Sequence, residues 1–282
     1  TQRTWWDSNE FVPEMISRSG LRWFKNRVVF NYYSDTKAVH DLPEGVLQSL
    51  ITMNFLTSGR LDLATSFSFF TPEITRIVSR SYPHYREPMS ARPLDAFVPD
   101  VQDPQVYDLA LTPDCHQVAF YNTGEQRATV STTLCGERVA NAIGLDPEAS
   151  YHAYAFWSDT YLGVFSGDDR LERELDPGHC EMISLRRCLP QPQVVSTDRH
   201  LLQGWVDLGG VRWDADTKTL SGTARVIGGE TFRIVVANNG SKPAEAKAKD
   251  AEVSIEQCQY GATSILEIEA EQSMDVHWAV RY

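Results

Sequence analysis

Apolar positions in the first hundred residues follow two alternating patterns. Residues 27–33 (RVVFNYY) form a short β-branched and aromatic run, as a strand buried on both faces would. Asp41 then stands where a helix cap belongs, with Glu44 three residues later completing a capping box. Val46, Leu47, Leu50, Ile51 and Met53 recur at helical spacing behind it, and Gly59 sits at the position of a C′ glycine. Residues 60–65 (RLDLAT) predict the next short strand. Thr71-Pro72 predicts a second helix, with Pro directly after a capping Thr; it carries Ile74, Ile77 and Val78 and stops before Pro83. Two successive strand–helix units imply parallel strands joined by crossover helices.

After Phe97 the pattern changes. The Pro- and Asp-rich connection VPDVQDPQ leads into strand-like runs: 116–122 (HQVAFYN), 128–134 (ATVSTTL), 151–157 (YHAYAFW), 161–165 (YLGVF) and 181–187 (EMISLRR). Turn signals at Thr123-Gly124, Ser166-Gly167-Asp168 and Pro177-Gly178 separate them. A further β-rich stretch follows Val194, with TLSGTARVIG, TFRIVVAN, AEVSIEQ, SILEIEA and MDVHWAVRY, while 241–250 (SKPAEAKAKD) reads as a solvated loop. The expected organisation is α/β followed by all-β. Residues 1–100 would be the terminal strand–helix units of a (β/α)8 barrel, 101–193 an antiparallel β-sandwich, and 194–282 a further β-rich domain or an extension of that sandwich. Two units cannot close a barrel, so the remaining units are expected upstream of Thr1 or from another chain.

The balance of 26 basic against 38 acidic residues gives a net charge of −12. It argues against nucleic acid or an anionic membrane as a partner, because both would be repelled; a neutral sugar would not be. No run of about 18 apolar residues exists to span a membrane. Thr1 is followed by no leader pattern, so the chain is expected to start inside a longer precursor or after a processing point. The five cysteines are widely spaced and form no CxxC, which reads as small hydrophobes in a core and leaves the compartment, secreted, periplasmic or cytoplasmic, open. His40, His84, His116, His200 and His277 have no metal-ligand spacing, and no GxSxG or Gly-rich phosphate loop appears, so neither a metal nor another cofactor is expected.

The densest candidate for chemistry is Arg3-Thr4-Trp5-Trp6-Asp7-Ser8-Asn9. Sugar hydrolysis needs a carboxyl group that protonates the leaving oxygen and a second one that attacks or activates water. Indole walls desolvate a carboxyl and raise its pKa, which suits an acid at neutral pH; aromatic faces also stack on pyranose rings. The alternative is a loop whose Trp5 and Trp6 pack a core while Asp7 caps a helix. A second candidate, Asn31-Tyr32-Tyr33-Ser34-Asp35, is expected at the C-terminal end of the first strand, where barrel active sites are built. Asp35 there either binds substrate or caps the next helix. Asp62 to Ser66 on the second strand reads as structural more than functional.

In their order and spacing these segments resemble the melibiase clan of glycoside hydrolases, the α-galactosidases and their relatives. Arg3 and Asp7 match the clan's R-x-x-x-D segment, which ends in the acid/base aspartate. Residues 31–35 stand where the clan has an Asn-Asp-Pro-Asp turn, and LITMNFLTSGRLDLAT, TPEITRIVSRSYP and ARPLDAF are similar to its last helices and its exit into a C-terminal sheet. FWSDTYLGVFSG and VVSTDRHLLQGWVDL resemble its bacterial branch. The resemblance implies a retaining, α-galactosidase-like exo-glycosidase with Asp7 as general acid/base, Arg3 orienting it, and Trp5, Trp6, Asn31, Tyr32 and Asp35 binding a carbohydrate substrate. Two departures stand out. The turn has lost its Pro and one Asp, and the Lys-x-Asp segment that carries the clan's nucleophile is absent, which places the nucleophile upstream, in an N-terminal barrel segment associated with this chain. Two alternatives remain open: a non-catalytic carbohydrate-binding module, with Trp157, Trp205 or Trp213 as stacking platforms rather than core residues, or an inactive relative.

Overall fold

In the computed structural model the described residues are 2–6, 11–36, 39–63, 65–82, 90–137 and 140–282. Strands and helices alternate at first: β1 (Gln2–Trp6), α1 (Phe11–Leu21), β2 (Tyr32–Thr36), α2 (Glu44–Leu56), β3 (Arg60–Leu63) and α3 (Pro72–Ser79). The three strands pair in parallel in the order β1-β2-β3. One strand–helix pair thus precedes the two anticipated from the sequence. The anticipated strand at 27–33 is shifted to 32–36, because Arg27 adopts a left-handed conformation (φ 68°) and a turn links Asn26 to Phe30. Val28 and Val29, apolar enough to suggest a strand, lie exposed on that turn.

Helix capping divides in the same way. Thr71 caps α3 as expected, its Oγ1 accepting from Ile74 N at 3.3 Å with Pro72 next in line. Asp41 does not cap α2; it belongs to a 3₁₀ turn, and Pro43 stands at the cap without a side-chain bond. At the other end Ser58, not Gly59, takes the left-handed position (φ 47°), and Gly59 N donates back to Asn54 O at 3.0 Å.

The chain then becomes a set of antiparallel sheets. Strands β4 (Arg92–Pro93), β5 (Val106–Thr112), β6 (Cys115–Tyr121), β7 (Ala128–Thr133), β8 (Ser150–Ala155), β9 (Thr160–Ser166), β10 (Arg170–Leu175) and β11 (Cys180–Arg187) form a six-stranded sheet, β4-β5-β6-β11-β8-β9, and a β10-β7 pair. Strands β12 (Gln193–Thr197), β13 (Leu208–Asp214), β14 (Thr219–Val226), β15 (Phe232–Ala237), β16 (Glu245–Ala248), β17 (Glu252–Cys258), β18 (Thr263–Glu269) and β19 (Met274–Arg281) form two four-stranded sheets, β12-β15-β18-β17 and β13-β14-β19-β16. The segment read as a solvated loop therefore contains β16, an edge strand on β19 that turns Ala246 and Ala248 toward the core while Glu245 and Lys247 pair outside.

The six-stranded sheet is covered on both faces, so β6 is buried at every position. Ala119 and Tyr121 face the helices, sharing a core with Met15 and Ile16 of α1, Leu47, Leu50 and Ile51 of α2 and Ile77 of α3. Val118 and Phe120 face a second core closed by Val130 of β7 and Leu171 of β10. Helix α2 is buried at 11 of its 13 positions. Its Gly45 lies against the His179 ring, Ser49 Oγ donates to Gly178 O at 2.6 Å, and Trp157 Nε1 donates to Thr52 Oγ1 at 2.9 Å. The two four-stranded sheets close a third core around Phe232, Trp278 and Val280. They join the six-stranded sheet through a buried chain of amides in which Ser196 Oγ donates to Gln203 Oε1 at 2.8 Å and Gln203 Nε2 donates to Gln117 Oε1 at 2.9 Å. All five cysteines are free, with Cys115 and Cys180 buried; burial pushes the Cys180 thiol up to about 12, which makes it inert packing.

Candidate functional site

The parallel register decides which of the candidate residues meet. Arg3, Tyr33 and Arg60 occupy one row across the three strands, and Trp5, Asp35 and Asp62 occupy the row two residues further toward the C-terminal end. Both rows belong to one face of the sheet, since the side-chain period of a strand is two. Leu61 and Leu63, on the alternate rows, pack on the core shared with the helices. The rows of Arg3 and Trp5 alternate along the strands with the rows that hold Leu61 and Leu63. Trp6 closes β1, and Asp7, next in the chain, lies outside the described residues.

Asn31 and Tyr32 are not brought to this end. Asn31 precedes β2 and Tyr32 opens it, three residues from Asp35, a strand rise of about 10 Å. The shifted strand is the reason: the turn at Arg27 uses residues that the hydrophobic pattern assigns to the strand interior.

Loops that leave β2 and β3 at the same end hold an aromatic group the sequence reading did not single out. The His40 and Phe69 rings stack at 4.5 Å with an 11° interplanar angle, and Phe67 meets Phe70 at 5.2 Å. Phe67 is 76% exposed and Phe69 54%. Thr65 Oγ1 accepts from Val39 N at 3.0 Å, tying the two loops together, and Ser66 caps the 3₁₀ turn carrying Phe67 to Phe69. Thr65 and Ser66 both take part in holding these loops. The SFSFF run at 66–70 was the available signal, but only the fold shows that its rings are exposed rather than packed.

Three buried carboxylates of the antiparallel sheets and their connections are committed to structure. Glu181 is buried on β11, where its oxygens accept from Trp157 N at 2.8 Å, Met182 N at 3.0 Å and Ser158 N at 3.2 Å. Burial pushes its pKa up, against the lowering effect of those bonds and of Arg173 at 3.6 Å. Asp108 holds His116 Nδ1 at 2.8 Å, and Asp207 lies 3.0 Å from His200 Nε2, both in buried surroundings. No cluster of three or more His, Cys, Asp or Glu suited to a metal occurs among the described residues. Trp157 and Trp205 pack on the helix-side core, whereas Trp213, half-buried on β13, also lines surface clefts.

No family model and no curated protein matches the sequence. Solved structures do match. A GH27 β-L-arabinopyranosidase from Geobacillus stearothermophilus superposes with TM-score 0.52 and 13% identity over 67% of this chain and 45% of that enzyme. A single-residue variant of it in complex with arabinose gives 0.51 and 14% over 66% and 45%. An α-galactosidase from Saccharomyces cerevisiae with raffinose gives 0.49 and 12% over 64% and 52%. The likeness is one of fold. The chain spans less than half the length of the Geobacillus enzymes it resembles.

Proposed function

We propose that this chain is the C-terminal portion of a retaining exo-glycosidase of the α-galactosidase-like kind. In this reading β1, β2 and β3 are the last strands of a (β/α)8 barrel, and the antiparallel sheets buttress it. Asp7 is the general acid/base, Arg3 orients it, and Trp5, Trp6 and Asp35 line the sugar site. The nucleophile is carried by a barrel segment outside this sequence, so that two carboxylates stand roughly 5–5.5 Å apart across the glycosidic bond, as retention requires. The observation that carries the reading is the row of Trp5, Asp35 and Asp62 near the C-terminal end of a parallel sheet, with Asp7 following directly on β1. Barrel enzymes build their chemistry at that end. The fold likeness to GH27 enzymes supports it. Asn31 and Tyr32, at the other end of β2, are left out; the exposed Phe67 and the stacked His40 and Phe69 supply aromatic faces for the leaving-group side of a glycoside instead.

The substrate class that fits is a terminal α-D-galactoside or β-L-arabinopyranoside, two sugars of one ring configuration that differ by an exocyclic hydroxymethyl group. The test is Asp7→Asn in the full-length enzyme containing this chain. Loss of general acid catalysis lowers turnover of alkyl or sugar glycosides by about 10²–10⁴-fold and spares activated aryl glycosides, whose leaving group needs no proton. Wild-type rates on both substrate types would remove Asp7 from the chemistry.

A further inference from the structure

The loops that follow β2 and β3 carry aromatic rings at the end of the parallel sheet where Trp5, Asp35 and Asp62 stand. His40 comes five residues after Asp35 and Phe67 five residues after Asp62, a reach of roughly 18 Å at full extension. The rings have a fixed foundation. Phe70 packs on the helix-side core, and Phe67 leans on it at 5.2 Å and 52°. Phe69 lies flat on the His40 ring, so each loop holds a ring of the other. The bond from Val39 N to the buried Thr65 closes the same pair of loops. Phe67 and Phe69 nevertheless keep most of their surface in water. Two neighbouring phenylalanines left exposed on a braced loop, with the exposed Ser66, Ser68 and Thr71 beside them, form a surface suited to being covered.

The polar groups of these loops decide what can cover it. Ser66 Oγ pairs with Ser68 Oγ at 2.9 Å and accepts from Ser68 N at 3.4 Å. Thr65 Oγ1 is taken by Val39 N, Thr71 Oγ1 caps α3, and His40 Nε2 meets Asp41 Oδ1 at 3.3 Å. A second sugar seated on the rings would bring hydroxyls to groups whose bonds are already made, and each hydroxyl left unpaired costs affinity. A planar aromatic ring needs no such partner, and it gains from offset or edge contact with phenyl faces.

We propose that Phe67 and Phe69 make the leaving-group side of the site selective for a flat aromatic aglycone, so that the substrate class is an aryl glycoside rather than an oligosaccharide. The proposal rests on the glycosidase reading and deepens it, from the presence of aromatic faces to what those faces select. His40 acts through Phe69, as a positioning residue.

Calorimetric titration of the full-length enzyme containing this chain tests it with S-linked glycosides, which resist hydrolysis and so keep leaving-group reactivity out of the comparison. The ligands are galactose and its methyl, phenyl and galactosyl S-α-glycosides, with arabinose and the matching S-β-L-arabinopyranosides in parallel. The phenyl ligand should bind about tenfold tighter than the methyl one, and tighter than the galactosyl one. Phe67→Ala should remove most of that gain while leaving the methyl affinity unchanged, and Phe67→Tyr should retain it. Should Phe67→Ala fail to fold, Phe69→Ala carries the same comparison. Equal affinity for phenyl and methyl ligands, or tighter binding of the galactosyl one, overturns the proposal and leaves the glycosidase reading standing. A phenyl preference that survives in both alanine variants assigns the rings to packing against the rest of the barrel and overturns it too. If neither free sugar nor any of the glycosides binds, the glycosidase reading falls and takes this proposal with it.

Discussion

The six-stranded antiparallel sheet and the three-stranded parallel sheet are covered to very different extents. The antiparallel sheet has a packed core on each face, and its β6 is buried throughout. The parallel sheet has β1 and β3 as its edges, and the connections around it expose Val28 at 81%, Val29 at 73% and Phe67 at 76%. Antiparallel strands find partners close by in sequence, whereas parallel ones depend on crossover helices and on strands further along the chain. Helix α2 belongs to the core on which Leu61 and Leu63 of β3 pack and which also takes in Cys180 and Met182 of β11.

That contrast can be broken experimentally. Leu50 is fully buried in the core that α2 shares with β5, β6 and β11. Leu50→Ala should cost about 2–5 kcal/mol by loss of transfer energy and creation of a cavity, measured by urea denaturation. Because this core joins both sheets, a single transition should move; two separated transitions, with only one shifted, would mean that the sheets unfold independently. A smaller effect is expected at Gly45, where a Cβ would lie 2.5 Å from the His179 ring. Gly45→Ala should destabilise by about 1–3 kcal/mol through overpacking, despite alanine's better helix propensity. Adding His179→Ala should recover most of that loss, and failure to recover it would place the strain elsewhere.

The smallest expected effect is a pH slope. Glu181 has its pKa raised by burial above the ordinary glutamate value of 4.5. A raised folded-state pKa contributes stability that is complete below the ordinary value and is lost as pH climbs through the folded-state value. Thermal midpoints should therefore fall as pH rises across that window, and Glu181→Gln should flatten the fall. Asp95 and Asp198, raised by burial in the same sense, would keep part of it. An unchanged slope in the variant would show that Glu181 titrates normally.

Local chemistry was legible wherever a feature depends on neighbours in the chain. Thr71-Pro72 starts α3 because a hydroxyl and a fixed φ act within one turn. The alternating runs of β8, β9 and β11 stand close to where their patterns put them. Charged edge strands were not legible: β10 (RLEREL) and β16 (EAKA) carry few apolar residues because one side of each faces water. The strand anticipated at 27–33 was misplaced because an apolar run does not reveal a left-handed residue at its start.

Chain order alone determined that strands and helices alternate first and that antiparallel sheet follows, and it singled out Arg3, Trp5, Asp35 and Trp213 as residues worth watching. Only the tertiary structure decided which of them share a surface. Register across β1, β2 and β3 put Trp5 beside Asp35 and removed Asn31 and Tyr32 to the far end. The meeting of the loops after β2 and β3 put the His40 ring against Phe69. Hydrophobic periodicity reports which face of a segment is buried; it carries no information on which distant segment covers that face, and binding surfaces are made of those meetings.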